Sequence, residues 1–287
     1  MRSLDAARRY FADEIQAVAN LHTVALVDAL ASVPRESFLG PGPWLIATPD
    51  ARRPGHVTYR PTPDADPRHV YHNVLLAIDP SRSLNNGHPS TLAACLDALD
   101  LSYGMVFAHV GCGLGYYTAL AAAVVGASGR VLAIDIDGEL AARAARNLSG
   151  LQQVRVVSGD GTSVELPSCD AILVNAGFTH PLPRWLNALR EGGRLLLPIT
   201  AQVPGSPTSI GAMVLVTRSG PHYSASPLSS IAIFASPTGR DQELDGSIRQ
   251  AFGTGRWSGI RSLRRDVHTP AATCCVHGRD VCLSSEE

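Results

Sequence analysis

The feature that most constrains the fold is a junction near the middle of the chain, where the apolar run MVFAHV (105–110) passes straight into Gly111-Cys112-Gly113-Leu114-Gly115 and a helical pattern begins at Tyr116. A glycine-rich turn between strand and helix lets backbone approach a ligand closely and aims helix N-terminal amides at it. Around this junction, β-rich runs alternate with segments of helical length. The runs are MVFAHV, RVLAIDI, VRVVSG, DAILVNA and GRLLLPI, and helical patterns at 116–125, 139–148 and 182–189 lie between them. Such alternation predicts an α/β fold, a doubly wound and mostly parallel sheet of Rossmann-like type. Two further strand-like runs, 212–217 and 229–235, have no helix between them, so they are expected to form an antiparallel hairpin at the sheet edge.

Ahead of this core, residues 4–18 carry Tyr10, Phe11, Ile15 and Val18 on one helical face. A second helix is expected over 23–33, with Thr23 as N-cap and Pro34 closing it. Proline and glycine crowd residues 40–67, which predicts loop. Behind the core, a helix over 241–252 leads into a tail rich in Arg, His and Cys, expected to be irregular. The organisation is therefore an N-terminal helical and loop segment (1–82), a ligand-binding core (83–236) and a C-terminal extension (237–287).

The nucleotide follows from spacing. Asp135 ends the second strand 20 residues beyond Gly115, the separation at which a carboxylate meets ribose hydroxyls. Asp160-Gly161 follows the third strand, where Asp160 is placed to accept from an adenine amine. The loop reads GxGxG where a dinucleotide fingerprint reads GxGxxG, which favours S-adenosylmethionine over NAD. The expected cofactor contacts are His109, Gly111, Cys112, Gly113, Gly115, Asp135, Ile136, Asp160, Gly161 and Asn175. The plainer alternative makes Asp160-Gly161 a turn and Asp135 a solvated strand end.

Five blocks in order carry a resemblance: VPRESFL (33–39), HPSTLAACLDALDL (88–101), HVGCGLGYYTALAA (109–122), SGDGT (158–162) and LREGGRLLLPI (189–199). Over about residues 1–235 the chain resembles the protein-L-isoaspartate (D-aspartate) O-methyltransferases, class I methyltransferases. The resemblance implies an enzyme that moves a methyl group from S-adenosylmethionine to a carboxylate, in that family the α-carboxyl of isoaspartyl residues. It departs at two places. In the family a serine tied to catalysis precedes the Pro-Ser helix, and Gly87 stands there in this chain; His109 stands where an acidic residue is usual. Some longer bacterial relatives carry extensions like residues 237–287 and modify aspartates in specific peptides. The expected acceptor is therefore a carboxylate on a peptide or a specialised metabolite, and general isoaspartyl repair is not expected.

The acceptor loop, residues 83–90, offers amides, hydroxyls and backbone N–H groups that can hold a carboxylate. Such an acceptor is already ionised and needs orientation more than a base. Asn86 and His88 are the candidate catalytic residues, His88 being a base if the acceptor were a hydroxyl or amine. Tyr71, His72, Asn85, Gly87, Ser90 and His180 are candidate acceptor contacts. The plainer reading makes Asn85-Asn86-Gly87 a tight turn and Ser90 a helix cap. Two rival functions remain open: methylation of a hydroxyl or amine through His88, and cofactor binding without turnover.

Composition sets the outer limits. With 45% hydrophobic and 17% charged residues the chain can bury a sizeable core, and a formal net charge of −1 gives no global field for nucleic acid. No leader or membrane-length apolar run is apparent, so a cytoplasmic protein with reduced thiols and no membrane partner is expected. The tail offers His268, Cys274, Cys275, His277 and Cys282, ligand types suited to zinc. Their spacing matches no common zinc module, so the expectation is a tail that packs on the core without a metal.

Overall fold

In the computed structural model, which describes residues 3–49, 57–206 and 208–286, helix α1 (Leu4–Ala19) starts where the Ser3 hydroxyl accepts the Ala6 N–H and stops at Asn20 in the left-handed region. Helix α2 (Val24–Ser32) follows, and α1 packs against it with Phe11, Ala12 and Ile15 inward. Thr23 is the N-cap by position, but its side chain makes no cap bond. Residues 40–67 were expected to be loop; they contain strands β1 (Leu45–Pro49) and β2 (Val57–Pro61), which pair antiparallel. Alternating Ile46 and Trp44 burial supplies the apolar face that offsets the proline content there. Residues 50–56 lie outside the described residues.

Strand β3 (Ala77–Asp79) pairs antiparallel with β4 (Leu84–Asn85), so the boundary expected at 82/83 runs through the middle of a small hairpin. Helix α3 (Pro89–Ala98) then leads into the core. The parallel strands are β5 (Val106–Val110), β6 (Arg130–Asp135), β7 (Val154–Ser158), β8 (Cys169–Val174) and the first half of β9 (Leu189–Gln202). Helices α4 (Tyr116–Val125), α5 (Gly138–Asn147) and α6 (Pro183–Ala188) connect them. The strand order β7-β6-β5-β8-β9 reverses direction of travel at β5, the switch point at which open α/β sheets bind ligands. Every residue of β5 is buried, and α4 is apolar nearly all round because it lies between the sheet and α2.

The expected hairpin exists as β10 (Thr208–Ser219) and β11 (His222–Phe234), turning at Gly220-Pro221. It is longer than its apolar runs and does not lie at the edge. Helix α7 (Leu244–Gly253) packs across β9 and β10, and β12 (Ser262–Arg264), β13 (Cys274–His277) and β14 (Cys282–Ser284) extend the sheet to ten strands beyond β11. The extension is ordered, not irregular, because Leu244, Ile248, Trp257, Ile260, Val276 and Leu283 share one buried cluster with β9 to β11. All six cysteines are unbridged. No described helix is long and apolar enough to cross a membrane.

Candidate active site

The carboxyl ends of β5, β6, β7 and β8 converge on the glycine loop. Gly111, Gly113 and Gly115 all have positive φ, which other residues rarely adopt. At Gly111 a Cβ would come within 3.0 Å of the Asn175 carbonyl, and at Gly115 within 2.7 Å of Leu148, so both positions also need the missing side chain for close packing. The loop is tied down by Gly111 and Cys112 N–H groups donating to the Ile134 carbonyl, at 2.8 and 3.1 Å.

Asp135 sits at the end of β6, buried, and its carboxylate accepts the Gly113 N–H at 2.7 Å and the Asp137 N–H at 3.0 Å. Burial pushes its pKa above the ordinary carboxylate value, and the two N–H bonds only partly oppose this. The next residue, Ile136, is a large apolar side chain left half exposed. A carboxylate followed by an open apolar surface can take a diol on the one and a flat ring against the other. After β7, Asp160 accepts the Thr162 N–H at 2.8 Å and the Thr238 hydroxyl at 3.1 Å. Burial raises its pKa, but these hydrogen bonds outweigh it and hold the carboxyl below its usual range. Gly161 lies against β5, where a Cβ would run into Val110. Asn175 leaves β8 beside Gly111, its N–H on the Val110 carbonyl.

His109 is on β5 but fully buried. Nδ1 pairs with the Thr118 hydroxyl at 2.9 Å, while Nε2 has no hydrogen-bond partner among the described residues. Burial lowers its pKa to about 4, so the imidazole is neutral near pH 7.

The expected acceptor residues divide into two groups. Asn86 pairs with Leu76 through both backbone and side chain: its N–H donates to the Leu76 carbonyl, and its Oδ1 accepts the Leu76 N–H, each at 2.9 Å. Its Nδ2 is buried without a described partner. The Asn85 side chain accepts the Gly87 N–H at 3.0 Å, as the tight-turn reading expects. Gly87 has φ of +77°, and its carbonyl accepts the Tyr117 hydroxyl at 3.3 Å. His88 is the N-cap residue of α3, and its Nδ1 meets the Ser90 hydroxyl at 3.1 Å. Ser90 is not the cap. Asn73 takes that role, accepting the Ser90 N–H at 3.0 Å while its amide reaches the Ser90 hydroxyl at 3.1 Å.

Among the described hydrogen bonds, none joins Tyr71, His72 or His180 to this loop. Tyr71 is buried, and its hydroxyl is engaged by Arg8, the Arg35 N–H and Glu36, so it fastens the N-terminal helices and offers nothing to an acceptor. The His72 side chain is exposed; its carbonyl holds Arg35. Beyond Asn175 the chain turns back over the sheet, with the Gly177 N–H on Phe234 and the Phe178 N–H on Pro198. After that turn His180 lies near Asp241, Asp280 and Arg240 of the extension, its Nδ1 3.0 Å from the Thr179 hydroxyl.

Arg35 escaped the sequence reading except as a letter in VPRESFL. It is fully buried. Its guanidinium donates to the carbonyls of Val70, His72 and Val74 at 2.6, 2.9 and 3.1 Å, and its Nε has no described partner. It lies 5.3 Å from the Phe11 ring centroid and 5.9 Å from that of Tyr116, whose hydroxyl is likewise buried without a described partner. No carboxylate is among its described hydrogen-bond or ion-pair partners. Its charge reaches the acceptor loop: the pKa of His88 is lowered first by burial and then by Arg35, with Glu14 opposing. No local sequence signal distinguishes such an arginine from a surface one.

Residues 61–208 match the family model described as protein-L-isoaspartate (D-aspartate) O-methyltransferase. A protein-L-isoaspartate O-methyltransferase of Methanothrix thermoacetophila is 31% identical over 64% of this chain and 78% of its own length. One from Thermotoga maritima is 30% identical over 47% of this chain, which spans only 44% of that relative. Among solved structures, a protein-L-isoaspartate O-methyltransferase superposes with a TM-score of 0.66 at 20% identity, covering 85% of this chain and 70% of the other. A Plasmodium falciparum protein of the same description, solved with S-adenosyl-L-homocysteine, gives 0.60 at 15% identity over 80% of this chain and 98% of that one. The chain therefore belongs to the protein-L-isoaspartate (D-aspartate) O-methyltransferase family of S-adenosylmethionine-dependent methyltransferases.

Proposed function

We propose that the protein transfers the methyl group of S-adenosylmethionine to a carboxylate on a peptide at the loop formed by residues 85–90, and that general isoaspartyl repair is not its main activity. S-adenosylmethionine supplies an electrophilic methyl group on a sulfonium. The chain's part is to hold an anionic acceptor in line with it and keep water out.

The observation that carries the carboxylate reading is Arg35, a buried cation with no described carboxylate partner whose field extends over the acceptor loop. The carbonyls that hold Nη1 and Nη2 leave Nε unpartnered and do not cancel the charge. An anion is favoured beside it and an ammonium is opposed. The unpartnered donors Asn86 Nδ2 and Tyr116 Oη support the same acceptor chemistry. His88 is kept neutral, so it adds no competing charge; its lowered pKa also weakens it as the base that a hydroxyl or amine acceptor would require.

Gly87 supports a dedicated acceptor. It provides no hydroxyl where the resembled family has one, and a missing bond of that kind costs about 1.5–3 kcal/mol, roughly ten- to a hundredfold in rate if made only in the transition state. Restoring serine meets two obstacles: φ is +77°, and a Cβ would stand 3.1 Å from Leu92. A simple isoaspartyl hexapeptide should thus be a poor substrate for the wild type and for Gly87→Ser, measured as homocysteine formed through a coupled assay. Turnover of that peptide matching an authentic repair enzyme under the same conditions would overturn the dedicated-acceptor reading. Binding of adenosylhomocysteine without turnover on any peptide pool would favour a non-catalytic role.

A further inference from the structure

We propose that His268, Cys274, His277 and Cys282 form a structural zinc site in the C-terminal extension. Their sequence spacing matches no common zinc module, yet the fold brings one ligand atom from each to within 4.8 Å of the others. The four come from three segments: the turn after β12 supplies His268, β13 supplies Cys274 and His277, and β14 supplies Cys282. Antiparallel pairing places His277 directly opposite Cys282.

One edge of the cluster has the length that a tetrahedral zinc requires. With bonds of about 2.3 Å to sulfur and about 2.05 Å to nitrogen, a tetrahedral zinc has a sulfur-to-nitrogen edge of about 3.6 Å. His268 Nε2 and Cys274 Sγ stand 3.5 Å apart. His268 Nδ1 donates to the Asp266 carbonyl at 2.9 Å, which fixes the proton on that nitrogen and leaves the Nε2 lone pair facing the sulfur. Metal-bound histidines are oriented by such an outer hydrogen bond. The Ala271 N–H points at Cys274 Sγ from 3.3 Å, a donor suited to a thiolate. His277 Nδ1 is buried without a described hydrogen-bond partner, and its ring lies edge-on to His268 with centroids 4.7 Å apart. Cys275 is excluded: its side chain joins the apolar cluster of the extension, with Sγ 3.6 Å from the Arg256 carbonyl, and a bulge between Cys274 and Val276 breaks the simple alternation of β13.

Two thiolates and two neutral imidazoles balance a divalent charge, and an S2N2 tetrahedral set selects zinc among the common divalent ions. Four protein ligands leave no open position, so the role is structural and not catalytic. Position agrees. β13 is at one edge of the sheet, seven strands from β5 and the glycine loop. The ion would join strands of three or four residues that are too short to be stable alone.

Full-length protein produced in zinc-supplemented medium and purified without chelator should carry one zinc per chain by plasma mass spectrometry. Cys274→Ser and Cys282→Ser should each reduce that content by at least about tenfold, since a site short of one thiolate loses its closed tetrahedral set. Adenosylhomocysteine affinity should be retained in whichever of these variants remains folded. Should neither serine variant accumulate, wild-type protein produced in cobalt-supplemented medium gives an independent reading, with the intense visible absorption of tetrahedral thiolate-bound cobalt expected. Wild-type protein with under about a tenth of a zinc per chain and no cobalt spectrum overturns the proposal. So does zinc content undiminished in the double serine variant, or a Cys274–Cys282 disulfide in freshly isolated, zinc-free protein.

Discussion

His109 shows how one buried side chain can make the stability of this protein depend on pH. Its pKa falls from an ordinary value near 6.5 to about 4 because the imidazole is wholly enclosed between Phe107 and Thr118. Between those two values the unfolded chain takes up a proton that the folded chain refuses, so unfolding becomes easier as pH drops. The full span corresponds to about 3 kcal/mol, at about 1.36 kcal/mol for each pKa unit. Denaturant titrations at pH 6.5 and 4.5 should show the wild type losing roughly 2–3 kcal/mol more than His109→Gln. An equal loss in both proteins would mean that the imidazole is solvated or already charged. The position of this residue on the first core strand could be read from the sequence, as could Asp135 and the three glycines, because strand period and turn chemistry are local. Arg35 and Asn73 could not. Their roles come from carbonyls 35–39 residues away for Arg35 and an amide 17 residues away for Asn73, held in place only by the fold.

Helix α2 makes the same point for elements. Thr23 is a good N-cap by residue type, yet its side chain makes no cap bond, and the entry to the helix is held by Asp97 of α3, which accepts the His22 N–H at 3.1 Å and the Thr23 N–H at 2.8 Å just ahead of the first turn. Asp97→Ala should therefore cost about 1 kcal/mol, the usual loss of a cap, with Thr23→Ala costing less. On a chain of this size that is a fall of about 2–4 °C in Tm by calorimetry. A larger effect at Thr23 would contradict the assignment. The parallel strands and their crossover helices were legible because each announces itself by apolar period and bounding turns. The β1–β2 hairpin was hidden by proline, and β12 to β14 by brevity. Three or four residues carry too little pattern to mark a strand until a neighbouring strand and a shared core fix it.

At the scale of the whole molecule, a ten-stranded sheet places two kinds of chemistry far apart. The glycine loop, Asp135 and the loop of residues 85–90 gather about the switch point at β5, and the Cys and His cluster gathers at the β13 edge. Arg240 joins the extension to the core. It donates to the carbonyls of Gly177 and Thr200 at 2.7 and 2.9 Å and pairs with Asp245 at 2.9 Å, which ties the described extension, residues 237–286, to the folded body. The sequence resemblance reached the family and its cofactor, because its blocks are local runs within residues 1–235 and the family model matches residues 61–208. It stopped short of the proposed acceptor loop, where Gly87 has φ of +77° and Arg35 is buried among carbonyls contributed by residues 70–74. The account turns on methylation of a carboxylate, and the bond formed tells this directly. With methyl-labelled S-adenosylmethionine and a proteolysed cell extract as the peptide source, transferred label should be released as volatile methanol on mild alkaline treatment, as a carboxyl methyl ester requires. Label that is transferred but stays non-volatile in alkali would show an amine or ether product and contradict the account.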